Sequence, residues 1–306
     1  MKEYLVQGTT LPEAYHSALV ILHKEGETVP CPDYDTNQKE VSMTIEVLKP
    51  LEEPMISRLF IGGYSELEQY RQEILDGILD FEIEAGNWEY TYHSRIAEQL
   101  PFIYRELRRN PDSRRAVIDV RDWKHDTREG NTSPACLQHI QYFIRGNKLH
   151  CKVLFRSNDA AKATFMNAFA LICLQKKIAE ELGYEVGTYT HRANSFHVYE
   201  RDYDLLKGYV ERLEAGLPTT FDYVGEWDEL MEEARPKIAQ NVELLKKRNQ
   251  QSNDAANDGN TLFSAIVFGQ AENKGAFFDI KQPCLLLKSR TWSNRICLGC
   301  FCLIYA

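Results

Sequence analysis

A short turn in the middle of the chain constrains the fold more than any other feature of the sequence. Two apolar-rich runs, residues 137–144 and 149–155, flank the tetrapeptide Arg145–Lys148. Gly146 and Asn147 at its centre are residue types that accept a positive φ angle, which a two-residue hairpin turn requires. The sequence therefore predicts a β-hairpin whose register is set by its turn.

That register predicts a chemical pairing at the open end of the hairpin. Counting outward from the turn places Cys136 opposite Arg156 or Ser157. A guanidinium held beside a thiol favours the thiolate, which is the nucleophilic form. We therefore predict an activated nucleophile at Cys136. The alternative is a small buried hydrophobe, the usual state of a free cysteine, which we favour for Cys151 and Cys173.

The charge balance narrows the class of partner. The 306 residues carry a formal net charge of −9, which argues against a broad nucleic-acid surface. An anionic ligand must then meet a local cluster of basic residues, such as Arg114, Arg115 and Arg156. We expect no membrane span and no signal peptide, because no apolar run has the required length. The scattered cysteines favour a reducing, cytoplasmic setting.

Capping and periodicity signals divide the chain into helices and strands. Thr10 and Glu13 form a capping box at the start of a helix that Gly26 ends. The most apolar helix is predicted from Thr164 to Leu182. The other predicted elements are strands over 41–47, 116–120 and 189–199, helices over 65–79, 94–109, 202–214 and 226–247, and a polar loop over 31–38.

Four motifs in this order resemble the thymidylate synthase family. They are Asn110–Arg115, Pro134–Cys136, Arg156–Asp159 followed by Asn167, and His197–Tyr199. The resemblance covers roughly residues 5–247 and is closest to the short, early-starting archaeal form. We therefore assign residues 1–248 to a catalytic domain. Residues 249–306 are a polar linker and an unmatched, apolar, cysteine-rich extension.

The resemblance implies both a fold and a reaction. The fold is α+β, a large mixed β-sheet covered by helices, and two subunits form a homodimer by sheet packing. The reaction is the methyltransferase conversion of dUMP to dTMP through a covalent adduct of Cys136 at pyrimidine C6. The one-carbon donor is 5,10-methylenetetrahydrofolate or another methylene-tetrahydropterin, and no metal ion is expected.

The resemblance also assigns phosphate ligands. Arg156 polarises the thiol and binds the nucleotide phosphate, and Ser157 donates its hydroxyl to the same group. Arg114 and Arg115 reach that phosphate from the partner subunit, since guanidinium forks match phosphate oxygens in geometry and charge. The alternative for these two arginines is a solvated turn after a helix.

The resemblance also implies a ligand for the base, the sugar and the pterin. Asn167 pairs with the O4 and N3–H edge of uracil, because a carboxamide carries a donor and an acceptor; family members that act on cytosine nucleotides carry Asp here. His197 and Tyr199 share one face of a strand and bind the sugar 3′-hydroxyl. Asp159 holds the pterin ring, and Tyr92 belongs to the proton-relay region.

Several choices stay open at this stage. Either Glu68 or Glu73 is the family's general acid–base glutamate, or both lie on a solvated helix face. Trp88 is a candidate for the aromatic side chain that excludes water. Asp35 and its neighbours replace the family's Arg-Thr-Gly phosphate loop, and Leu137 follows the cysteine where His is common. The alternative functions are a dUMP/dCMP 5-hydroxymethylase, in which water completes the adduct, and an inactive nucleotide-binding homologue.

Overall fold

The structure, a computed structural model, describes residues 1–223 and 226–257. Its strands in chain order are β1 (Glu3–Gly8), β2 (Glu27–Cys31), β3 (Thr36–Val47), β4 (Ile56–Ser57), β5 (Val117–Asp119), β6 (Leu137–Arg145), β7 (Lys148–Phe155), β8 (Asn158–Asp159), β9 (Glu185–Tyr199) and β10 (Thr220–Phe221). Its helices are α1 (Leu11–Glu25), α2 (Tyr64–Asp76), α3 (Phe81–Glu84), α4 (Tyr92–Ala97), α5 (Leu100–Arg109), α6 (Trp123–Asp126), α7 (Thr164–Leu182), α8 (Tyr203–Glu214) and α9 (Glu226–Asn257).

A mixed β-sheet organises these elements. Its main strand order is β1-β3-β9-β7-β6-β5, with β2 added beside β3 and β8 beside β9. Strands β1 and β3, β7 and β9, and β8 and β9 run parallel, whereas β3–β9, β6–β7 and β5–β6 are antiparallel. Helices α1 and α7 pack on the sheet. The predicted α+β fold, a mixed sheet covered by helices, is confirmed.

Helix α7 forms the centre of the core. It runs from Thr164 to Leu182, as predicted, and Gly183 ends it with a φ of 76°. Gln175, whose side chain is fully buried, donates from Nε2 to the carbonyls of Leu149 (2.8 Å) and Thr188 (3.2 Å). These bonds satisfy sheet carbonyls where the β7–β9 register shifts, and they fix the helix against the two central strands.

The predicted hairpin is confirmed together with its turn. Gly146 and Asn147 have φ angles of 56° and 64°, and Arg145 pairs with Lys148 beside them. Both central residues lie in the left-handed region, as a type I′ turn requires, and this turn matches the twist of the flanking strands.

Two of the predicted elements differ from the structure. The predicted polar loop over 31–38 lies mostly in the β2–β3 hairpin at the sheet margin. Its residues are exposed or half-buried on both faces, so no apolar alternation marks the strands. The predicted helix over 94–109 is divided into α4 and α5 beside Pro101, because proline has no N–H for the helix ladder.

The residues around the predicted domain boundary are helical, and the boundary itself stays a prediction. The chain divides into two compact units, whose described residues are 1–223 with 226–239 in the first and 240–257 in the second. The predicted boundary after residue 248 falls within helix α9, and residues 250–257, predicted as linker, are helical. The remainder of the extension, with its cysteine cluster, lies outside the described residues. Among the described helices, none has the length and apolarity needed to cross a bilayer.

A buried carboxylate joins α2 to the first part of α9. Glu68 accepts hydrogen bonds from Arg71 (2.8 and 2.9 Å), Gln72 (2.9 Å), Arg235 (3.2 Å) and the Trp227 indole N–H (3.3 Å). Burial by itself raises the pKa of Glu68, but the bonds from Arg71 and Gln72, with the charge of Arg71, hold that pKa at about 2. Glu68 is therefore an ionised structural group.

Replacing Glu68 with Gln should destabilise the fold. The variant leaves two guanidinium groups beside a neutral amide, and breaking a buried ion pair costs about 3 kcal/mol. We expect a lower free energy of unfolding in urea at pH 7. Because the pKa of Glu68 lies below its value in the unfolded chain, this difference should shrink as the pH falls from about 5 towards 2.

The control for this experiment is Glu232→Gln, at an exposed position of α9. Its free energy of unfolding should stay within about 0.5 kcal/mol of wild type. Equal stability of Glu68→Gln and wild type at pH 7 would contradict the role of the carboxylate.

Candidate active site

A β-bulge decides which residue faces the predicted nucleophile. From the turn outward the β6–β7 pairs are regular until His139 pairs with Leu154, but the next pair is Leu137 with Phe155, so Gln138 is an extra residue. A regular ladder would place Ser157 opposite Cys136. With the bulge, the Arg156 N–H donates to the Cys136 carbonyl at 2.9 Å. Cys136 therefore lies opposite Arg156, one of the two predicted positions.

The Arg156 guanidinium is held against the segment that carries the thiol. Its Nε donates to the Ala135 carbonyl at 3.1 Å, and its Nη2 donates to the Pro134 carbonyl at 2.8 Å. Directly opposed residues of an antiparallel pair present their side chains to the same face. The fixed positive charge therefore stands beside Cys136, whose exposed fraction is 6%, an arrangement that favours a thiolate.

Tyr92 and Gln138 support the same segment from other directions. The Tyr92 hydroxyl accepts from the Leu137 N–H at 3.2 Å. The Gln138 side chain donates from Nε2 to the carbonyl of Ala135 at 2.7 Å. Tyr92 thus contacts the residue that follows Cys136, and its part in a proton relay stays a prediction.

Strand β8 brings the third motif beside the last one. It runs parallel to β9, with Asp159 opposite His197, and Ser157 Oγ is 3.5 Å from His197 Nδ1. The Asp159 Oδ1 accepts from the N–H groups of Ala161 (3.1 Å) and Lys162 (3.0 Å). Burial raises the pKa of Asp159, and the charges of His197 and Lys162 oppose that rise. Its carboxylate is of the kind that suits the N–H donors of a pterin ring.

His197 and Tyr199 form one surface, as predicted from their alternation. Their rings meet edge to face with centroids 4.9 Å apart. Tyr34, which precedes Asp35, packs on Tyr199 with ring centroids 5.3 Å apart. His197 Nε2 is buried with no hydrogen-bond partner among the described residues. Such an atom is costly unless a ligand satisfies it.

Asn167 presents a second buried polar atom without a partner among the described residues. It lies near the start of α7, where its exposed fraction is 3%. Its Oδ1 accepts from the Tyr70 hydroxyl of helix α2. Its Nδ2 has no hydrogen-bond partner in the described chain. The donor is suited to a carbonyl acceptor on a bound base.

The two candidate glutamates of helix α2 lie in different environments. Glu68 is the ionised structural group described above. Glu73 lies on the Tyr70 side of the helix, three residues further on. Burial raises the pKa of Glu73 to about 7, against a hydrogen bond from Gln69 at 3.0 Å that lowers it. Of the two, only Glu73 can exchange a proton near neutral pH.

Arg114 and Arg115 lie far from this cluster within one subunit. Both are exposed, and they line a surface cavity of about 420 Å³ just before β5. The Tyr142 N–H donates to the Ala116 carbonyl, which places the arginines near the turn end of β6. Cys136 is six residues away along that strand, or about 20 Å. An arginine side chain cannot cover that distance, so a shared site would require a second subunit.

No group of three or more potential ligand side chains in residues 1–223 and 226–257 is arranged to hold a metal ion. Trp88 is half-buried, and its role in excluding water stays a prediction.

Sequence patterns alone did not indicate Tyr70 or the Gln138 bulge. Tyr70 and Glu73 are three residues apart on a predicted helix, and this spacing is the sequence signal that places them on one face.

Comparison with known proteins agrees with this arrangement. The thymidylate synthase family model matches residues 69–224. A putative thymidylate synthase of Methanocaldococcus jannaschii is 32% identical over 211 residues, which cover 67% of this chain and 95% of that protein. The chain belongs to the thymidylate synthase family.

Other thymidylate synthases extend the match. Thymidylate synthase 1 of Bacillus subtilis is 31% identical over 159 residues, 51% of this chain and 56% of that protein. The structure of thermostable thymidylate synthase A from Bacillus subtilis has the same fold, with a TM-score of 0.53 at 21% identity over 66% of this chain and 84% of that one. Family membership supports an enzyme that transfers a methyl or hydroxymethyl group in nucleotide biosynthesis, with a folate-type cofactor.

The raised pKa of Glu73 predicts a pH-dependent gain in stability when that residue is replaced with Gln. The native pKa of about 7 lies above the ordinary value of 4.5, so the folded state loses stability as the carboxyl ionises between these values. A neutral amide avoids that loss. Glu73→Gln should therefore match wild type near pH 4 and exceed it at pH 8 by up to about 3 kcal/mol.

Urea unfolding of both proteins across this pH range checks the sign of the effect. Glu84→Gln, at an exposed position, should show no such gain. A Glu73→Gln variant that is no more stable than wild type at pH 8 would show that the carboxyl of Glu73 is not perturbed in this way.

Proposed function

We propose that the protein is a thymidylate synthase that converts dUMP to dTMP with a methylene-tetrahydropterin. The observation that carries this proposal is the pairing of Cys136 with Arg156 across the β6–β7 ladder. It supplies a nucleophile and a positive charge at one point. The buried donor of Asn167 supports a base with a carbonyl at position 4.

The proposed chemistry begins at the thiol. Cys136 as thiolate adds to C6 of the pyrimidine, which makes C5 a carbon nucleophile. C5 then bonds to the one-carbon unit and loses its proton, and the bond between that unit and the donor nitrogen breaks. Hydride converts the unit to a methyl group, and the thiolate leaves C6, which restores the C5–C6 double bond. The reduced pterin supplies the one-carbon group and the hydride, and becomes a dihydropterin. Asp159 is the proposed pterin ligand, with 5,10-methylenetetrahydrofolate as the first candidate.

The other side chains hold the nucleotide and move protons. Ser157 is proposed to bind the phosphate with Arg156, and His197 with Tyr199 to bind the sugar 3′-hydroxyl. Glu73 is the proposed general acid–base, since a pKa of about 7 lets it exchange a proton at neutral pH. Tyr92, beside the nucleophile, is proposed to take part in the proton relay.

The proposal is tested by release of tritium from 5-tritiated dUMP in the presence of methylenetetrahydrofolate, with the product identified by mass. We expect release and dTMP from wild type, and neither from Cys136→Ser, because serine is not a comparable nucleophile at neutral pH. Cys31→Ser, in the β2–β3 hairpin, is the matched control and should retain activity.

Two results would revise the proposal. A 5-hydroxymethyl product would make the protein a dUMP 5-hydroxymethylase, in which water replaces hydride. The absence of both release and product would contradict dUMP or this pterin as substrate.

We also propose a homodimer formed by sheet packing, with Arg114 and Arg115 binding the phosphate of the partner's site. The distance between these arginines and Cys136 within one chain supports it, and so does the usual dimeric state of the family. A cytoplasmic location stays part of the proposal.

Mixing two inactive variants tests the shared site. Cys136→Ser and Arg115→Ala subunits should each be inactive or weak alone. Random exchange gives heterodimers with one intact site, so about a quarter of wild-type tritium release should return. Mixing each variant with itself is the control, and no recovery in the mixed sample would contradict a site shared between subunits.

A further inference from the structure

The hydroxyl of Tyr70 holds one edge of the Asn167 carboxamide. It donates to Oδ1 from helix α2, across the contact between α2 and α7. A carboxamide has two chemically different arms, and a bond to one arm fixes where the other lies. Oδ1 is therefore directed to Tyr70, and Nδ2 is directed away from it.

The fixed orientation of the amide leaves Asn167 Nδ2 in need of a hydrogen-bond acceptor. Asn167 is buried, and its Nδ2 is without a partner among the described residues. A ligand that satisfies it must present an acceptor. Uracil presents the O4 carbonyl, whereas cytosine presents a 4-amino group whose N–H donors would face the N–H donors of Nδ2. A buried N–H donor without an acceptor costs more free energy than one that makes a weak hydrogen bond.

A freely rotating carboxamide would not discriminate in this way. If it turned by half a rotation, Oδ1 would accept from the cytosine amino group, and Nδ2 would donate to the bare ring nitrogen. The asparagine alone can therefore serve either base, and its orientation decides between them.

We propose that Tyr70 is a specificity-determining positioning residue, which holds Asn167 in the orientation that accepts 4-oxopyrimidine nucleotides and rejects 4-aminopyrimidine nucleotides. This inference rests on the proposed function. Tyr70 acts through Asn167, and its role is to exclude the wrong base as well as to favour the right one.

The test measures the dissociation constants of dUMP and dCMP by calorimetry. We expect wild type to prefer dUMP, and Tyr70→Phe to lose about tenfold of that preference, the effect of one neutral hydrogen bond. Tyr64→Phe is the matched control on the same helix, because the Tyr64 ring packs on Phe221 with centroids 4.5 Å apart. It should keep the wild-type ratio.

A second set of variants, made in an Asn167→Asp background, distinguishes an effect of Tyr70 on amide orientation from an effect on packing. In Asn167→Asp the two carboxylate oxygens are equivalent, so Tyr70 has no orientation to select. Adding Tyr70→Phe to Asn167→Asp should then leave the ratio of the two constants unchanged. A double-mutant cycle of this kind isolates the coupling between the two residues.

The outcomes distinguish the two claims. A wild-type protein without preference for dUMP would overturn the proposed function and this inference with it. A wild-type preference that Tyr70→Phe retains would overturn the inference alone. An equal loss of preference in both backgrounds would show that Tyr70 acts by packing, which also overturns it.

Discussion

A single main-chain hydrogen bond, from the Arg156 N–H to the Cys136 carbonyl, sets the relation on which the candidate site depends. It results from two features of one hairpin. The Gly146–Asn147 turn starts a regular ladder, and the extra residue Gln138 shifts that ladder by one position at its open end. Since neighbouring strand residues face opposite sides of a sheet, the bulge determines which side chain meets the thiol.

Helix α2 shows how neighbouring carboxylates acquire different properties. Glu68 is surrounded by donors and remains ionised, whereas the carboxyl group of the half-buried Glu73 loses solvation with little compensation and its pKa is raised to about 7. The first contributes stability and the second reduces it at neutral pH. Separation of pKa values within one element is a common feature of catalytic sites. Glu68 fixes helix α2 in place, and the same helix carries Glu73 and Tyr70.

Much of the fold was predictable because its signals are local. The turn at Gly146 and the bounds of α7 follow from backbone preferences and from a continuous apolar face. The pairing of Cys136 could be narrowed to two residues but no further, because the bulge at Gln138 depends on the surrounding sheet. Nor could Glu73 be separated from Glu68, since their difference depends on the bonds that Arg71 and Gln72 direct to Glu68 in the folded protein. The contact that holds Asn167 was not predictable either, because Tyr70 and Asn167 are far apart along the chain.

The locality of the β6–β7 hairpin also has a consequence for the order of folding. A hairpin closed by two residues can form within about 1–10 μs, far faster than ladders between distant segments. The strands that carry Cys136 and Arg156 therefore pair early, while the nascent sheet is still incomplete. The side chains of α2 and α7 join them only after long-range collapse. The hairpin of the candidate nucleophile thus forms in a fast step, and the contact between Tyr70 and Asn167 forms in a slower, cooperative one.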